Sequence, residues 1–256
     1  ISAPRCFEIE RRLKQICDIP VFHDDQHGTA VVTLAATLNS LKLVGKKPEE
    51  IHVVVNGAGA AGIACSRLML SLGVKDLVIL NSKGIVYAGK EGLNDELKNF
   101  APQTNPRMIR GGLKEAMVGA DLFLGVSKPN VLTEDMIRSM NRDPIIFACA
   151  NPTPEIMPEL ALEAGAKVVG TGRSDFPNQI NNLLAFPGIF KGTFAVRARD
   201  INDDMKIAAA CAIASLVTAE ELSPECVIPS PFDPRVADAV AAAVSDAARK
   251  SGVATL

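Results

Sequence analysis

The sequence predicts an α/β fold built on a parallel, doubly wound sheet, with helical segments flanking it at both ends. Three observations lead there. Short runs rich in Val, Ile and Leu alternate with helix-like stretches at the spacing of strand–helix–strand units. Those runs are almost continuously apolar, as strands buried on both faces must be. One of them, Val53-Val54-Val55, runs straight into a glycine-rich turn and then a helix. The 256 residues suffice for one large domain or two small ones, with a substantial core.

In chain order, a helix is expected from residue 2 to about residue 17, since Pro4 falls where a missing N–H costs little. Phe7, Ile9, Leu13 and Ile16 give it a partial apolar face, and Asp18-Ile19-Pro20 ends it. Residues 29–43 read as a buried, alanine-rich helix. The first strand and its helix follow a loop at residues 45–48. A second strand at 77–80 ends in Asn81-Ser82-Lys83-Gly84. Residues 90–105 read as helix plus loop, 108–109 as a short third strand, and 113–118 as a short helix. Residues 120–126 form a strong fourth strand. Residues 133–140 form a helix with Thr133 as N-cap and two acids in its first turn. The fifth strand, 145–149, and the sixth, 167–169, enclose a helix at 158–165. In the tail, residues 178–190 are expected to be helical up to Pro187, and 203–222 to form one long helix. Asp233-Pro234 opens a last helix to about Lys250, stopped by Gly252. The chain thus divides into a helical segment at 1–45, the sheet domain at 46–200, and C-terminal helices at 201–256 that pack on it.

The glycine-rich turn is Gly57-x-Gly59-x-x-Gly62, the strand–turn–helix order of a dinucleotide site. Gly57 allows the tight turn, Gly59 lets the backbone approach a pyrophosphate, and Gly62 lets the helix pack close to the strand. Ala60 and Ala61 open a helix whose free N–H groups and dipole favour phosphate. The fold is then Rossmann-type and the cofactor NAD or NADP. The plainer alternative is a glycine-rich corner that binds nothing. NAD-specific sites usually carry an acid at the end of the second strand, on the ribose 2′-hydroxyl. Here that position is Asn81, followed by Ser82 and Lys83. An amide does not repel a 2′-phosphate, and Lys83 offers a positive charge, so the expectation leans mildly to NADP.

Net charge is −2, with no basic run, which argues against non-specific nucleic-acid binding. No apolar stretch is long enough to cross a bilayer, and no secretory signal opens the chain. None of the six cysteines forms a CxxC pair. Cys65 and Cys149 sit in apolar runs and read as reduced core residues, which implies a cytoplasmic protein. The chain starts at Ile1 without Met, directly in a helix pattern, and is expected to be a piece of something longer.

In open α/β sheets, ligands bind beyond the carboxyl ends of the strands. Four polar clusters fall there: Asn81-Ser82-Lys83, Ser127-Lys128, Asn151-Pro152-Thr153, and residues 172–182 with the Asn181-Asn182 pair. His23-Asp24-Asp25-x-His27 is the most reactive-looking stretch. Two adjacent carboxylates suit a hard cation such as Mg²⁺ or Mn²⁺. They also suit capping of the helix that follows, and chemistry alone leaves the two readings level.

VFHDDQHGTA (21–30), NGAGAAG (56–62), CANPTPE (149–155) and TGRSDFPNQINNLLAFPGIF (171–190) together closely resemble the malic enzymes of the shorter bacterial type. The resemblance runs the length of the chain. It implies NAD- or NADP-dependent oxidative decarboxylation of malate to pyruvate and CO₂ with Mg²⁺ or Mn²⁺, in a homo-oligomer. Under it, Asp25 looks like the third carboxylate ligand of the metal, and Asp24 like the neighbour that pairs with the family's catalytic lysine. Asn151 and Asn181 resemble the amides that contact malate, with Asn182 beside them. Gly57, Gly59 and Gly62 cradle the pyrophosphate, and Ser127 lies near the nicotinamide ribose. The resemblance also implies a dimer. In the family a Glu-Asp pair of metal ligands, the catalytic lysine and the tyrosine lie before the ISAP segment. The resemblance therefore makes this chain the cofactor-binding portion, linked through residues 1–45 to an N-terminal domain. Two other readings stand beside it: an NAD(P)-binding module without catalysis of its own, and a different dehydrogenase on the same fold. HDDQHGTA argues against the last.

Overall fold

The structure, a computed structural model, describes residues 3–256. The helix start expected at Ser2 lies outside the described residues. The elements in order are α1 (Arg5–Ile16), α2 (Asp24–Val44), β1 (His52–Asn56), α3 (Ala60–Leu72), β2 (Asp76–Asn81) and β3 (Gly84–Ile85). Then come α4 (Asp95–Phe100), α5 (Leu113–Met117), β4 (Leu122–Gly125), α6 (Glu134–Arg138), β5 (Ile145–Ala148) and α7 (Pro158–Glu163). The chain continues with β6 (Val168–Thr171), α8 (Phe186–Ala195), α9 (Asp203–Ser215) and α10 (Val236–Lys250).

The six strands lie in the order β3-β2-β1-β4-β5-β6, all parallel except β3 against β2. Strand order reverses between β1 and β4, where Asn56 pairs with Gly125, and a crevice opens there beyond the carboxyl ends. Successive strand residues point to opposite faces. Val53, Val55, Leu122 and Leu124 pack under α2, α3 and the C-terminal helices, in a core that includes Val31, Ile189, Met205 and Val240. Val54, Val78, Phe123 and Ile146 pack on the other face with Met117, Ile137 and Ala161. This is the doubly wound sheet the sequence predicts.

Several boundaries differ, each for a local reason. The third strand is Gly84–Ile85, not residues 108–109. Asn105 holds the latter region as a loop: its side chain accepts from the Ile109 N–H at 2.8 Å and donates to the Ile109 carbonyl at 2.9 Å. Helix α2 starts at Asp24, five residues before the expected Thr29, so Asp24 and Asp25 form its first turn, where the dipole favours them. Pro187 opens α8 rather than ending a helix, because its missing N–H falls in the first turn. Helix α9 stops at Ser215, where Thr218 and Glu221 make their own turn, with the Thr218 N–H on Glu221 Oε2 at 3.0 Å. Asp233 does not cap α10 directly. It accepts from the Arg235 N–H at 2.9 Å, and the helix starts at Val236. Cys65 is a core residue as expected, its thiol pushed up to about 12 by burial. Cys149 is only partly buried and lines a cleft instead.

Among the described residues, no helix is long and apolar enough to cross a membrane.

Candidate functional site

Two clefts open at the carboxyl edge of the sheet and meet at Ser127. The first, about 590 Å³, is lined by the glycine turn (Gly57, Ala58, Gly59), by Asn81 and Ser82 after β2, and by Ser127 and Lys128 after β4. The second, about 390 Å³, is lined by Asp25, Thr29, Ala61, Ser127, Cys149, Asn151, Asn181 and Asn182. A third cavity of about 530 Å³ lies among α1, α2, α3 and α4 around the Glu10–His27 pair. It shares no lining residue with the other two, and none of the strand-end polar groups faces it.

The glycine turn is shaped for a ligand, and its three glycines differ. Gly57 has φ +129°, and a Cβ there would sit 2.6 Å from the Val126 carbonyl. A Cβ on Gly62 would land on the Gly57 carbonyl oxygen. Both glycines are therefore required by the fold. Gly59 is extended, with φ −93° and ψ −162°, and a Cβ there would meet nothing within 4 Å among the described residues. The protein leaves that space open. Gly59 caps α3 without any side-chain hydrogen bond, so the first-turn N–H groups at Ala60, Ala61 and Gly62 face the turn without a side-chain acceptor. An open cradle with free donors fits the pyrophosphate of a dinucleotide.

At the end of β2, Asn81 and Ser82 line the first cleft. The Asn81 side-chain oxygen accepts from the Lys83 N–H at 2.9 Å, which closes the turn. Lys83 itself is not among the lining residues; its ammonium lies beside Gly92, and Lys128 is the lysine that lines the cleft.

In the second cleft Asp25 is exposed, while Asp24 is half-buried. One Asp24 oxygen accepts from Asn182 Nδ2. The other, Oδ1, is buried and has no partner among the described residues, and neither has His23 Nδ1. Burial, and then the neighbouring Asp25 charge, push the Asp24 carboxyl above its ordinary value. Gly28 makes room for it, since a Cβ there would land on Asp24 Oδ1. Asn181 turns its side-chain oxygen to the Leu183 N–H at 3.0 Å, leaving its amide nitrogen for the cleft. Replacing Asp24 with Asn is expected to stabilise the 256-residue chain. It removes a desolvated charge with one unpartnered oxygen and keeps an acceptor for Asn182. The gain should be about 1 kcal/mol, or a melting midpoint higher by roughly 2–4 °C. A lower midpoint in calorimetry would contradict this account of Asp24.

Asp25 offers a hard oxygen donor, the type that suits Mg²⁺ or Mn²⁺. Among the described residues, however, no group of three or more His, Cys, Asp and Glu side chains is placed to hold a metal. The donor type fits and the donor number does not.

One residue of the site was not singled out by sequence reasoning. Glu155 is fully buried and hydrogen-bonds the backbone beside Ser127, the residue the two clefts share. It accepts from the backbone N–H groups of Ser127 and Ala150, both at 2.9 Å. Burial pushes its carboxyl up, against the lowering effect of those hydrogen bonds. The signal available was an acid following Asn151-Pro152-Thr153-Pro154 directly after a buried strand.

A family model described as "Malic enzyme, NAD binding domain" matches residues 26–249. The chain is 60% identical to the bifunctional malic/malolactic enzyme of Bacillus subtilis, over 100% of this chain and 63% of that protein. It is 54% identical to the NAD-dependent malic enzyme of Geobacillus stearothermophilus, over 99% of this chain and 53% of that protein. The NADP-dependent malic enzyme of Halomonas elongata is 48% identical, over 99% and 63%. Among solved structures, the malic enzyme of Entamoeba histolytica superposes with a TM-score of 0.96 at 44% identity, covering 100% of this chain and 54% of that one. The chain thus spans between about half and two-thirds of the length of these four relatives.

Proposed function

The chain belongs to the malic enzyme family, and from that premise we propose that it serves NAD(P)-dependent oxidative decarboxylation of malate to pyruvate and CO₂ as the cofactor-binding portion. The observation that carries the reading is the junction of the two clefts at Ser127. A dinucleotide lying over the glycine turn would bring its nicotinamide end to the cleft that holds Asn151, Asn181 and Asn182.

In this reading the α3 N-terminus and Gly57, Gly59 and Gly62 hold the pyrophosphate, Asn81 and Ser82 the adenosine ribose, and Ser127 the nicotinamide ribose. NAD or NADP supplies hydride acceptance when bound. Asn151 and Asn181 donate amide hydrogens to malate, and Asn182 fixes Asp24 beside them. The unpartnered oxygen of Asp24 is suited to a cation outside the described residues. Asp25 contributes one carboxylate to a Mg²⁺ or Mn²⁺ site completed by other groups. Dimeric assembly and a cytoplasmic location belong to the same reading.

The test is malate-dependent rise of nicotinamide absorbance by the full-length protein, with and without Mn²⁺. No rise with either cofactor would overturn the proposal. The module reading has its own support, since the described residues offer no group of three or more His, Cys, Asp or Glu side chains that could hold a metal. Residues 1–256 alone should accordingly bind cofactor without turning malate over. Turnover by that purified chain would show that the catalytic groups are misplaced here.

Cofactor choice has a separate test. With Asn81 in place of an acid, NADP is expected to be accepted, with a mild preference over NAD. Asn81→Asp should shift the ratio of dissociation constants toward NAD by about tenfold, because a carboxylate repels the 2′-phosphate. An unmoved ratio, or a parent that binds NAD far more tightly, would contradict the role given to Asn81.

A further inference from the structure

Glu155 lies outside every role assigned so far, yet the structure is built around it. It follows β5 in sequence, but its carboxylate reaches under the end of β4. Gly125, the last residue of β4, has no side chain there, and a Cβ would land on the Glu155 carboxyl carbon. Oε1 accepts from the Ser127 N–H at 2.9 Å and lies 3.5 Å from the Ser127 hydroxyl. Oε2 accepts from the Ala150 N–H at 2.9 Å. The Ser127 hydroxyl in turn accepts from Asn56 Nδ2 at 2.9 Å. One buried carboxylate therefore ties together the loops that leave β4 and β5, and Ser127 links them to Asn56 at the end of β1. Its backbone also pairs with the loop after β4, the Leu132 N–H donating to the Glu155 carbonyl at 3.1 Å.

The carboxylate is fully buried, and no cation pairs with it among the described residues. An acid in such a place is costly unless both oxygens are used. Here each oxygen serves a different loop, and each loop carries a group that lines the second cleft: Ser127 on one, Asn151 on the other. A glutamine could not do the same, because its NH₂ would face one of the two backbone N–H donors.

We propose that Glu155 is a positioning residue that sets the spacing of Ser127 and Asn151, and so fixes where the nicotinamide half of the cofactor lies. The inference rests on the NAD(P) reading of the first cleft. Glu155 bonds directly to none of the cradle glycines: the Gly57 N–H donates to the Leu80 carbonyl on β2 at 3.0 Å, and Gly59 accepts from the Ile63 N–H within α3 at 3.1 Å. The two halves of the dinucleotide should therefore respond differently.

The experiment is calorimetric titration of the chain with NADH and with ADP-ribose, which lacks the nicotinamide. Glu155→Gln should weaken NADH binding by about tenfold and leave ADP-ribose binding unchanged. Gly125→Ala, which pushes the carboxylate away without altering its charge, should give the same signature and carries the test if the glutamine variant does not fold. Equal weakening of both ligands would reveal a merely structural role and overturn the proposal, as would unchanged NADH affinity in a folded variant. The parent chain decides the underlying reading separately: if it binds neither ligand, the cofactor assignment falls, and this inference with it.

Discussion

Gly59→Val is expected to leave the fold intact and to weaken NAD(P) binding by roughly ten- to a hundredfold. The backbone at Gly59 is extended and tolerates any side chain, and a Cβ there meets no atom of the described residues within 4 Å. The added methyl groups would instead occupy the space over the α3 N-terminus where the pyrophosphate should lie. Forcing extra carbons into an occupied space costs about 1–3 kcal/mol, which is the fold-change stated. The neighbouring glycine provides the contrast. Gly62→Ala puts a carbon on the Gly57 carbonyl oxygen and should damage the fold itself. The two variants separate a glycine kept for a ligand from a glycine kept for packing. A cooperatively folded Gly59→Val chain with parental affinity in calorimetry would show that the open space is not the pyrophosphate site.

Asp25→Ala in the full-length protein is expected to remove malate turnover while leaving cofactor affinity nearly unchanged. Asp25 is exposed in the second cleft and does not line the first, and among the described residues its side chain forms no ion pair. Truncating it should therefore cost little stability. As a metal donor, however, it should matter at least as much as a group that only supports a ligand, where losses of about 10- to 100-fold in metal affinity are usual. Mn²⁺ affinity, measured directly, should fall by at least that factor. Retained Mn²⁺-dependent turnover, or unchanged Mn²⁺ affinity, would remove Asp25 from the metal site and leave it as a first-turn acid stabilised by the dipole of α2.

Much of the fold was legible because its signals are local. The apolar runs at β1, β4 and β5 and the glycine turn declare strands and a phosphate-binding corner through periodicity and backbone sterics. What was not legible depended on side chains reaching across the chain. Residues 108–109 look like a strand, but the Asn105 side chain satisfies the Ile109 backbone and removes the need for a sheet partner. The early start of α2 was hidden because Asp24 and Asp25 fit either a loop or a first turn, and the structure makes them a first turn. The site followed the same division. Gly57, Asn81, Ser127 and the Asn181-Asn182 pair sit at strand or loop ends, where a sequence reading looks for them. Lys83 was placed by proximity in sequence, but its ammonium turns toward Gly92, and Lys128 lines the cleft. Glu155 was invisible because its role comes from the gap left by Gly125, thirty residues earlier, and only the folded sheet brings the two together.

The central claim is that the cleft running from the glycine turn to Ser127 holds a nicotinamide dinucleotide. Amide hydrogen exchange of the 256-residue chain, with and without saturating NADP or NAD, tests it most directly. Added protection concentrated at residues 57–62, 81–82 and 127–128 is the result this structure predicts. No protection at the glycine turn, or protection centred on the cavity around Glu10 and His27, would contradict it.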